Sequence, residues 1–163
     1  MRSVEEHLTK ILELVAPLPA YQQPLLEALG LPICEDITSP IDLPGFDNSA
    51  MDGYACHHAD VAEATRADPV TLPVVGESAA GQSKAYALPR GQAVKIMTGA
   101  PMPSGADVVV PIEWTDGGRA NVSITRLPTP GEHVRPRGED VTAGQALLEE
   151  GTLLGPRQAA ILA

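Results

Sequence analysis

The chain begins with an amphipathic helical pattern. Ser3 is a good N-cap, and Glu6 follows three residues later, which is the spacing of a capping box. Pro17 and Pro19 end the pattern, because proline interrupts the hydrogen bonding of a helix. We therefore predict a helix after Ser3 that buries one apolar stripe. The stripe consists of Val4, Leu8, Ile11, Leu12 and Val15.

Two shorter elements are predicted next. Pro24 suits the first turn of a second short helix, and Gly30 suits the position just after its end. Residues 31–37 form a short extended run with Pro32 near its start. Because proline cannot donate a hydrogen bond to a neighbouring strand, this run predicts an edge strand.

After residue 69 the pattern changes to short apolar runs separated by glycine and proline. Runs of this length with turns between them predict a compact β domain or a partly closed barrel. Residues 115–119, Thr-Asp-Gly-Gly-Arg, predict a hairpin turn. The apolar runs cover residues 70–75, 84–88, 93–97, 106–112 and 121–127.

The last residues predict the beginning of a helix. Pro156 suits the first helical position, and residues 158–162 continue at helical spacing. The sequence stops at Ala163 without a capping residue, and a helix this short is marginal alone. We therefore expect residues 1–163 to be the N-terminal part of a longer protein. A native terminus that frays is the other interpretation.

Composition narrows the class of function. The 163 residues are 44% hydrophobic, enough for a core, but only 3% aromatic, too few for a surface that stacks nucleic-acid bases. Because 21 acidic residues oppose 11 basic ones, the net charge of −10 disfavours nucleic acid and anionic membranes as partners. No run of 18 apolar residues and no signal-peptide core occurs, so we expect a cytoplasmic protein.

The two cysteines, Cys34 and Cys56, do not form the pattern of a secreted disulfide framework. The sequence Cys56-His57-His58 suggests a metal site, but adjacent histidines point in opposite directions on a strand. No second cysteine lies at ligand spacing. Placement in the core or on the surface is therefore the favoured interpretation of these three residues.

Residues 44–55, Pro-Gly-Phe-Asp-Asn-Ser-Ala-Met-Asp-Gly-Tyr-Ala, form the most distinctive segment. Pro44 and the glycine after it predict a type II turn, and Asp52 with its following glycine is a second turn signal. The side chains of residues 47–49 can bond the nearby backbone and hold the loop in one shape. A rigid polar loop of this kind suits a functional site. A stiff linker between domains explains the same residues.

Thr98 is a candidate ligand-binding residue. It follows an apolar run and precedes Gly99, which lets a ligand approach the backbone closely. A threonine hydroxyl and nearby N–H groups can hold a phosphate or another oxyanion. The segment is not a P-loop, because the required glycine and lysine spacing is absent. A plain turn is the alternative interpretation.

Arg135 and Arg137 alternate, so on a strand both side chains would lie on one face. Two guanidinium groups on one face can clamp a phosphate or a carboxylate. Glu139 and Asp140 follow immediately, so ion pairing with neighbouring carboxylates is the alternative.

Asp52 and Asp140 are the candidate metal ligands. Each lies near a glycine in a predicted loop, and Mg²⁺ commonly takes only one or two protein carboxylates. The sequence contains no H-E-x-x-H or C-x-x-C motif and no order typical of a serine hydrolase. Hydrolase and zinc-enzyme functions therefore have no support.

Three long motifs occur in one order. They are residues 44–55, residues 96–107 (Ile-Met-Thr-Gly-Ala-Pro-Met-Pro-Ser-Gly-Ala-Asp) and residues 135–140 (Arg-Pro-Arg-Gly-Glu-Asp). Together they closely resemble the N-terminal part of the molybdopterin molybdotransferases, the MoeA/gephyrin E-domain family, over essentially the whole chain. The resemblance implies an enzyme that inserts molybdate into adenylylated molybdopterin. The products would be AMP and the molybdenum cofactor, and Mg²⁺ would assist.

The resemblance also implies an architecture. Family members are elongated homodimers of four domains, and a partner of the molybdopterin adenylyltransferase type is compatible with that activity. Residues 1–45 with 139–163 would form a discontinuous domain I of helices and short strands, and residues 46–138 an inserted β-rich domain II. The expected fold is therefore α+β and rich in strands. Domains III and IV would be absent, and the active cleft would lie between domain II and the pterin domain of the other subunit.

By position, Asp52, Thr98 and Asp140 resemble family residues at that cleft and are the predicted catalytic residues. Asp52 and Asp140 would position a metal ion or substrate, and Thr98 and the arginines would contact phosphate or molybdate. Pro136 interrupts what is often a longer basic run in the family, which argues against an extended anion clamp. The predicted substrate-binding residues are Ser49, Glu113, Arg135 and Arg137.

Three functional hypotheses follow. The first is that the chain is the N-terminal half of a molybdotransferase, inactive alone because one wall of the cleft is missing. The second is a non-catalytic dimerisation or scaffold module. The third is a general binder of oxyanions or phosphate.

Overall fold

The computed structural model describes residues 2–16, 18–81 and 87–163. The described chain divides into two compact units. The first unit contains the segments before Ser39 and after Gln145, and the second contains Ser39–Gln145. The predicted strand at residues 84–88 lies mostly outside the described residues, as does Pro17.

Helix α1, Val4–Leu12, confirms the first predicted element. The capping box is formed, since the Glu6 N–H donates to Ser3 Oγ at 3.1 Å and the Ser3 N–H donates to Glu6 Oε2 at 3.0 Å. The prediction that α1 buries an apolar stripe is wrong within the described residues, because none of its side chains is buried. Val4 is 81% exposed. The cap and local propensity define this helix, and burial does not.

The second predicted helix is instead a hydrogen-bonded turn. The Ala28 N–H donates to the Pro24 carbonyl at 3.1 Å, and the turn ends at Gly30, whose φ is +85°. The predicted edge strand at 31–37 shortens to an isolated bridge from Pro32 to Leu153 and a two-residue strand at its end. Proline supplies no N–H here, which limits the pairing.

The remaining elements of the first unit come from both ends of the chain. Strand β1 pairs antiparallel with β9, although seven strands lie between them in chain order, so the first unit is discontinuous in sequence. Pro156 occupies the first turn of the last helix, as predicted. These elements are β1 (Ile37–Thr38), β9 (Ala146–Leu148) and α2 (Pro156–Leu162).

The second unit contains a five-stranded sheet that curls into a half-barrel. The central strand β5 pairs antiparallel with β3 and parallel with β4, and the spatial order is β6-β3-β5-β4-β7. The predicted runs at 70–75, 93–97, 106–112 and 121–127 each correspond to one of these strands. The strands are β3 (Gly53–Cys56), β4 (Val70–Ser78), β5 (Ala93–Ile96), β6 (Val108–Pro111) and β7 (Asn121–Ile124).

Smaller elements complete the second unit. Strands β2 (Asn48–Ser49) and β8 (Val134–Arg135) pair antiparallel, and 3₁₀ turns cover His58–Val61 and Ile112–Trp114. The predicted hairpin at 115–119 is confirmed by an antiparallel bridge between Thr115 and Ile124. Among the described residues, two helices with mainly short strands confirm the predicted β-rich α+β fold.

The core of the second unit lies on the two faces of the sheet. Ala55, Ile96 and Val109 pack with Ala100 on one face. The other face carries the larger cluster, which consists of Tyr54, Cys56, Val61, Ala64, Leu72, Ala93, Val108, Val110, Val122 and Ile124. Alternation along β3 and β6 therefore places consecutive residues in different clusters, and Ala93 and Ile96 of β5 also belong to different clusters.

Gly53 has a packing role that the turn signal did not predict. A Cβ at this position would lie 2.0 Å from the Val110 carbonyl oxygen, so only glycine lets β3 and β6 approach each other here.

The predicted type II turn at Pro44 and Gly45 is wrong, because Gly45 does not have the positive φ that such a turn requires. The Leu43–Pro44 peptide bond is cis.

Candidate functional site

Asp52 and Thr98 meet at one end of the five-stranded sheet. Gly53 is paired with Ile96 in the β3–β5 ladder, so the residue before β3 lies beside the loop that follows β5. Asp52 Oδ1 accepts two hydrogen bonds from Thr98, one from its N–H at 2.7 Å and one from its hydroxyl at 2.8 Å. Both side chains are exposed. The structure therefore joins two of the three predicted catalytic residues.

These hydrogen bonds lower the pKa of Asp52. The Thr98 N–H has the largest effect, the Thr98 hydroxyl adds to it, and the positive charge of Lys95 contributes in the same direction. Asp52 is therefore a carboxylate at neutral pH. Within the described residues its Oδ2 atom accepts no hydrogen bond, so this oxygen faces solvent as a possible ligand to a cation or hydrogen-bond acceptor.

Glu113 lies at the same end of the sheet. Pro111, the last residue of β6, is paired with Gly53, and the Ile112 N–H donates to the Asp52 carbonyl at 3.0 Å. Glu113 follows in the 3₁₀ turn and is exposed. The ends of β3, β5 and β6 thus place a second acidic residue in the neighbourhood of Asp52.

Ser49 is fully buried, and its hydroxyl is used within its own loop. Ser49 Oγ donates to the Met51 carbonyl at 2.5 Å and accepts from the Met51 N–H at 3.2 Å. Its backbone holds the Thr98 loop, since the Gly99 N–H donates to the Ser49 carbonyl at 2.8 Å. The geometry gives Ser49 a supporting position behind Thr98.

The two arginines have different surroundings. Strand β8 ends at Arg135, which is exposed, and the alternation that would place both side chains on one strand face stops there. Arg137 lies beyond the strand, where its Nε donates to Asp42 Oδ2 at 2.5 Å and its N–H donates to Asp47 Oδ1 at 2.7 Å. The ion-pair interpretation therefore describes Arg137, although its partner is Asp42 and not a neighbouring residue.

Asp140 lies on a separate loop of the second unit. The Asp140 N–H donates to the Leu43 carbonyl at 2.9 Å, and the Gly138 N–H donates to the Pro44 carbonyl at 2.9 Å. The Asp140 carboxylate is exposed and takes no hydrogen bond from the described residues. Residues 42–44 thus hold the segment that carries both Arg137 and Asp140.

The predicted metal ligands, Asp52 and Asp140, offer only oxygen donors and lie on separate loops. In the described ranges, no group of three or more His, Cys, Asp and Glu side chains is arranged to hold a metal ion. Asp52 and Asp140 both offer carboxylate oxygens, the ligand type that Mg²⁺ binds through one or two groups while retaining several waters. The fit therefore rests on oxygen donors that leave much of the coordination sphere to water or substrate.

The Cys56-His57-His58 sequence is placed in the core and on the surface. Cys56 is fully buried, and burial raises the pKa of its thiol to about 12. A ring nitrogen of His57 bonds the Leu88 carbonyl at 2.9 Å. The His58 N–H bonds Asp107 Oδ1. The favoured interpretation of these residues agrees with their positions.

The sequence interpretation overlooked two residues near the site. Lys95 is the only charged residue of β5, and its charge acts on Asp52. Asp42 anchors the Arg137 loop, because its Oδ1 also accepts from the Ala143 N–H at 2.7 Å. A lysine flanked by two apolar residues in a predicted strand is a pattern that could have identified Lys95. Asp42 gave no local signal, because its partners are distant in sequence.

Comparison with known proteins identifies the family. The family described as the MoeA N-terminal region (domain I and II) matches residues 2–163. The chain is 45% identical over 156 residues to molybdopterin molybdenumtransferase 2 of Mycobacterium tuberculosis, covering 96% of this chain and 38% of that protein. It is 40% identical over 155 residues to the molybdopterin molybdenumtransferase of Synechococcus elongatus, covering 94% and 38%.

A solved structure agrees with this. The molybdopterin biosynthesis MoeA protein from Pyrococcus horikoshii is similar with a TM-score of 0.86 and 35% identity, covering 96% of this chain and 40% of that one. The chain belongs to the MoeA N-terminal region family, which confirms the resemblance of the three motifs. It spans about two fifths of the length of these relatives.

The described residues include no helix long and apolar enough to cross a membrane.

Proposed function

We propose that this chain supplies the N-terminal region of a molybdopterin molybdotransferase. In this proposal the complete enzyme inserts molybdate into adenylylated molybdopterin and releases AMP and the molybdenum cofactor. The hydrogen-bonded pair of Asp52 and Thr98, exposed at one end of the half-barrel sheet, is the observation that carries the proposal. The names of the similar proteins support the same chemistry.

The residues have distinct roles in this proposal. Asp52, with its pKa lowered, presents a fixed negative charge, and Thr98 orients it through two hydrogen bonds. Asp52 and Asp140 are the groups that would hold Mg²⁺, which supplies a positive charge to neutralise phosphate and oxyanion oxygens. Glu113, Arg135 and Arg137 are proposed substrate contacts. Arg137 is already paired with Asp42, so Arg135 is the arginine of the two without an ion pair among the described residues.

We assign residues 1–45 with 139–163 to domain I and residues 46–138 to domain II. The pairing of β1 with β9 and the five-stranded sheet of the middle segment support this division. The compact units change at Ser39 and after Gln145, however, so their contacts group residues 39–45 and 139–145, including Asp140, with the second unit. A cytoplasmic location is part of the proposal. It is supported by the two unpaired cysteines, Cys34 and Cys56, since disulfides are rare in that compartment.

A chimera tests the catalytic proposal. Residues 1–163 would replace the matching region of the Mycobacterium tuberculosis relative, and molybdenum cofactor formation would be measured with purified adenylylated molybdopterin, molybdate and Mg²⁺. We expect the chimera to be active and the 163-residue chain alone to be inactive, because stabilisation of the reacting groups needs both walls of a cleft. A folded but inactive chimera would contradict the assignment, and turnover by the chain alone would contradict the missing-wall argument.

A dimerisation role is the second candidate. The apolar stripe of α1 supports it, since Leu8, Ile11 and Leu12 are 54%, 47% and 61% exposed. Replacement of Leu8 and Leu12 by Gln should shift the chimera from dimer to monomer in analytical ultracentrifugation while its circular dichroism spectrum stays unchanged. A dimer that persists in this variant would remove α1 from the interface.

A further inference from the structure

An open cleft of about 640 Å³ lies beside the five-stranded sheet. One wall is the second half of β4. The part of this strand up to Pro73 pairs with β7. Within the described residues, the part from Val74 to Ser78 pairs only with β5. The cleft is lined by Val74, Val75, Gly76, Glu77, Lys95 and Arg119.

The strand wall is irregular where it faces the cleft. Val74 pairs with Ala93 and Glu77 pairs with Lys95, so β4 has one residue more than β5 between these two pairs. A bulge of this kind bends the strand and leaves backbone groups outside the regular ladder. Val75 and Gly76 occupy the bulge. The cleft therefore combines an irregular stretch of backbone with two cationic side chains.

Buried Tyr54 contacts the backbone of both elements that carry the cations. It is opposite Lys95 in the β3–β5 ladder, and its hydroxyl donates to the Gly118 carbonyl at 3.0 Å, in the turn that carries Arg119. Burial raises the pKa of Tyr54, so this hydroxyl keeps its proton and remains a donor. One side chain thus links the strand under Lys95 to the turn under Arg119.

Further contacts hold the Arg119 turn against the strand. The Val74 N–H donates to the Ala120 carbonyl at 2.9 Å, and Asp116 Oδ1 accepts from the Gly118 N–H at 3.1 Å. A Cβ at Gly118 would lie 1.8 Å from the Asn121 carbonyl oxygen, so the tight turn requires glycine. The Arg119 side chain is exposed, but the backbone on both sides of Arg119 is held by these hydrogen bonds and by the Tyr54 hydroxyl.

The charges in the cleft are not neutralised within the described residues. Lys95 Nζ is 3.9 Å from Glu77 Oε1, a separation at the outer limit of an ion pair. The Arg119 guanidinium makes no ion pair or hydrogen bond with the described residues. In a chain of net charge −10, two cations and one carboxylate lining the same cleft form a local positive region.

We propose that this cleft binds a phosphoryl group of a small anionic ligand, with Lys95 and Arg119 as the charged contacts. Arg119 would bind two phosphate oxygens, Lys95 would supply a point charge, and the bulge would add backbone N–H groups. Glu77 competes with the ligand for Lys95. Lys95 also acts on Asp52 through its charge, so the cleft neighbours the predicted site, but phosphoryl binding in it does not depend on the proposed molybdotransferase activity.

The test titrates the 163-residue chain with inorganic pyrophosphate and follows backbone amide signals by nuclear magnetic resonance. We expect saturable shifts at Gly76, Lys95 and Arg119. Lys95→Met and Arg119→Gln should each weaken binding about threefold to fivefold, as expected for a contact between exposed charges. Glu77→Gln should tighten binding about twofold, because it removes the competing carboxylate.

Arg90→Gln is the matched control, because Arg90 is an exposed arginine paired with Asp60 and is not part of the cleft. It should leave the affinity unchanged. Equal weakening by Arg90→Gln, or no saturable shift in the wild-type chain, would overturn the proposal.

Titrations with inorganic phosphate, AMP and molybdate show which source of the oxyanion is preferred. If molybdate binds and every phosphate compound fails, the phosphoryl assignment is wrong. Arg119→Gln and Glu77→Gln change only exposed side chains, so they test the proposal even if Lys95→Met does not fold.

Discussion

Asp52 accepts the N–H and the hydroxyl of Thr98 on one carboxylate oxygen, at 2.7 and 2.8 Å. Asp52→Asn keeps an oxygen acceptor for both donors but removes the negative charge. If the charge serves catalysis, this variant in the chimera should lower the rate of cofactor formation about tenfold or more, the lower range for loss of a charged catalytic group. The measurement is the initial rate at saturating molybdate, together with the melting temperature.

Asp68→Asn is the control for this experiment, because Asp68 is an exposed aspartate of the same unit whose carboxylate takes no hydrogen bond from the described residues. It should retain the full rate. A structural role for Asp52 would lower the melting temperature of the Asn variant and leave the rate per folded molecule unchanged, which would contradict the catalytic assignment.

The sequence predicted those features that depend on neighbouring residues. The capping box at Ser3 and the proline that starts α2 are local, and both were predicted correctly. Burial of the α1 stripe was not, because burial depends on what covers a helix. Asp52 and Thr98 could each be singled out from a motif, but their contact arises only from the pairing of β3 with β5. The ion pair of Arg137 with Asp42 is likewise a product of the fold.

Acid should destabilise the second unit through carboxyl groups that accept hydrogen bonds. The pKa values of Asp116 and Glu132 are lowered, in Asp116 mainly by the Ser123 N–H and in Glu132 mainly by the Thr129 N–H. A carboxyl with a lower pKa in the folded state stabilises the fold above its unfolded pKa. That stabilisation is lost as the pH falls through the folded pKa.

The ordinary values are 3.8 for Asp and 4.5 for Glu, so the melting temperature should be nearly constant from about pH 7 to about pH 5 and fall below about pH 4. Asp116→Asn keeps an acceptor for the Gly118 and Ser123 N–H groups but no longer titrates. Its melting temperature should therefore fall less steeply with acid. Parallel curves for the variant and the wild type would contradict the contribution of Asp116.

Gly53→Ala should strongly destabilise the second unit. The new Cβ would lie 2.0 Å from the Val110 carbonyl oxygen, and backbone atoms of two paired strands cannot move apart without breaking the β3–β6 ladder. We expect a loss of about 2–4 kcal/mol in the free energy of unfolding, measured with urea.

Gly45→Ala is the matched control, since a Cβ at Gly45 would be 3.9 Å from its nearest neighbour and the φ of Gly45 is not positive. It should change stability by less than about 1 kcal/mol. Equal effects of the two substitutions would contradict the close-approach argument.

Cys56 should resist alkylation as long as the sheet is folded. Its thiol is fully buried in the larger cluster on one face of the sheet, and its pKa is raised to about 12, first by burial and then by the nearby Asp107 and Asp60 charges. Since the thiolate is the reactive form, little of it exists at pH 8. Cys34 is exposed and serves as the internal comparison. Iodoacetamide at pH 8 should therefore label Cys34 alone in the native chain and both cysteines in urea, as read by peptide mass spectrometry.

In the Cys34→Ser variant, native labelling should be nearly absent, and the rate at which Cys56 becomes labelled should report opening of the sheet. Rapid native labelling of Cys56 in that variant would show that β3 is accessible and that the core described for the second unit is incorrect.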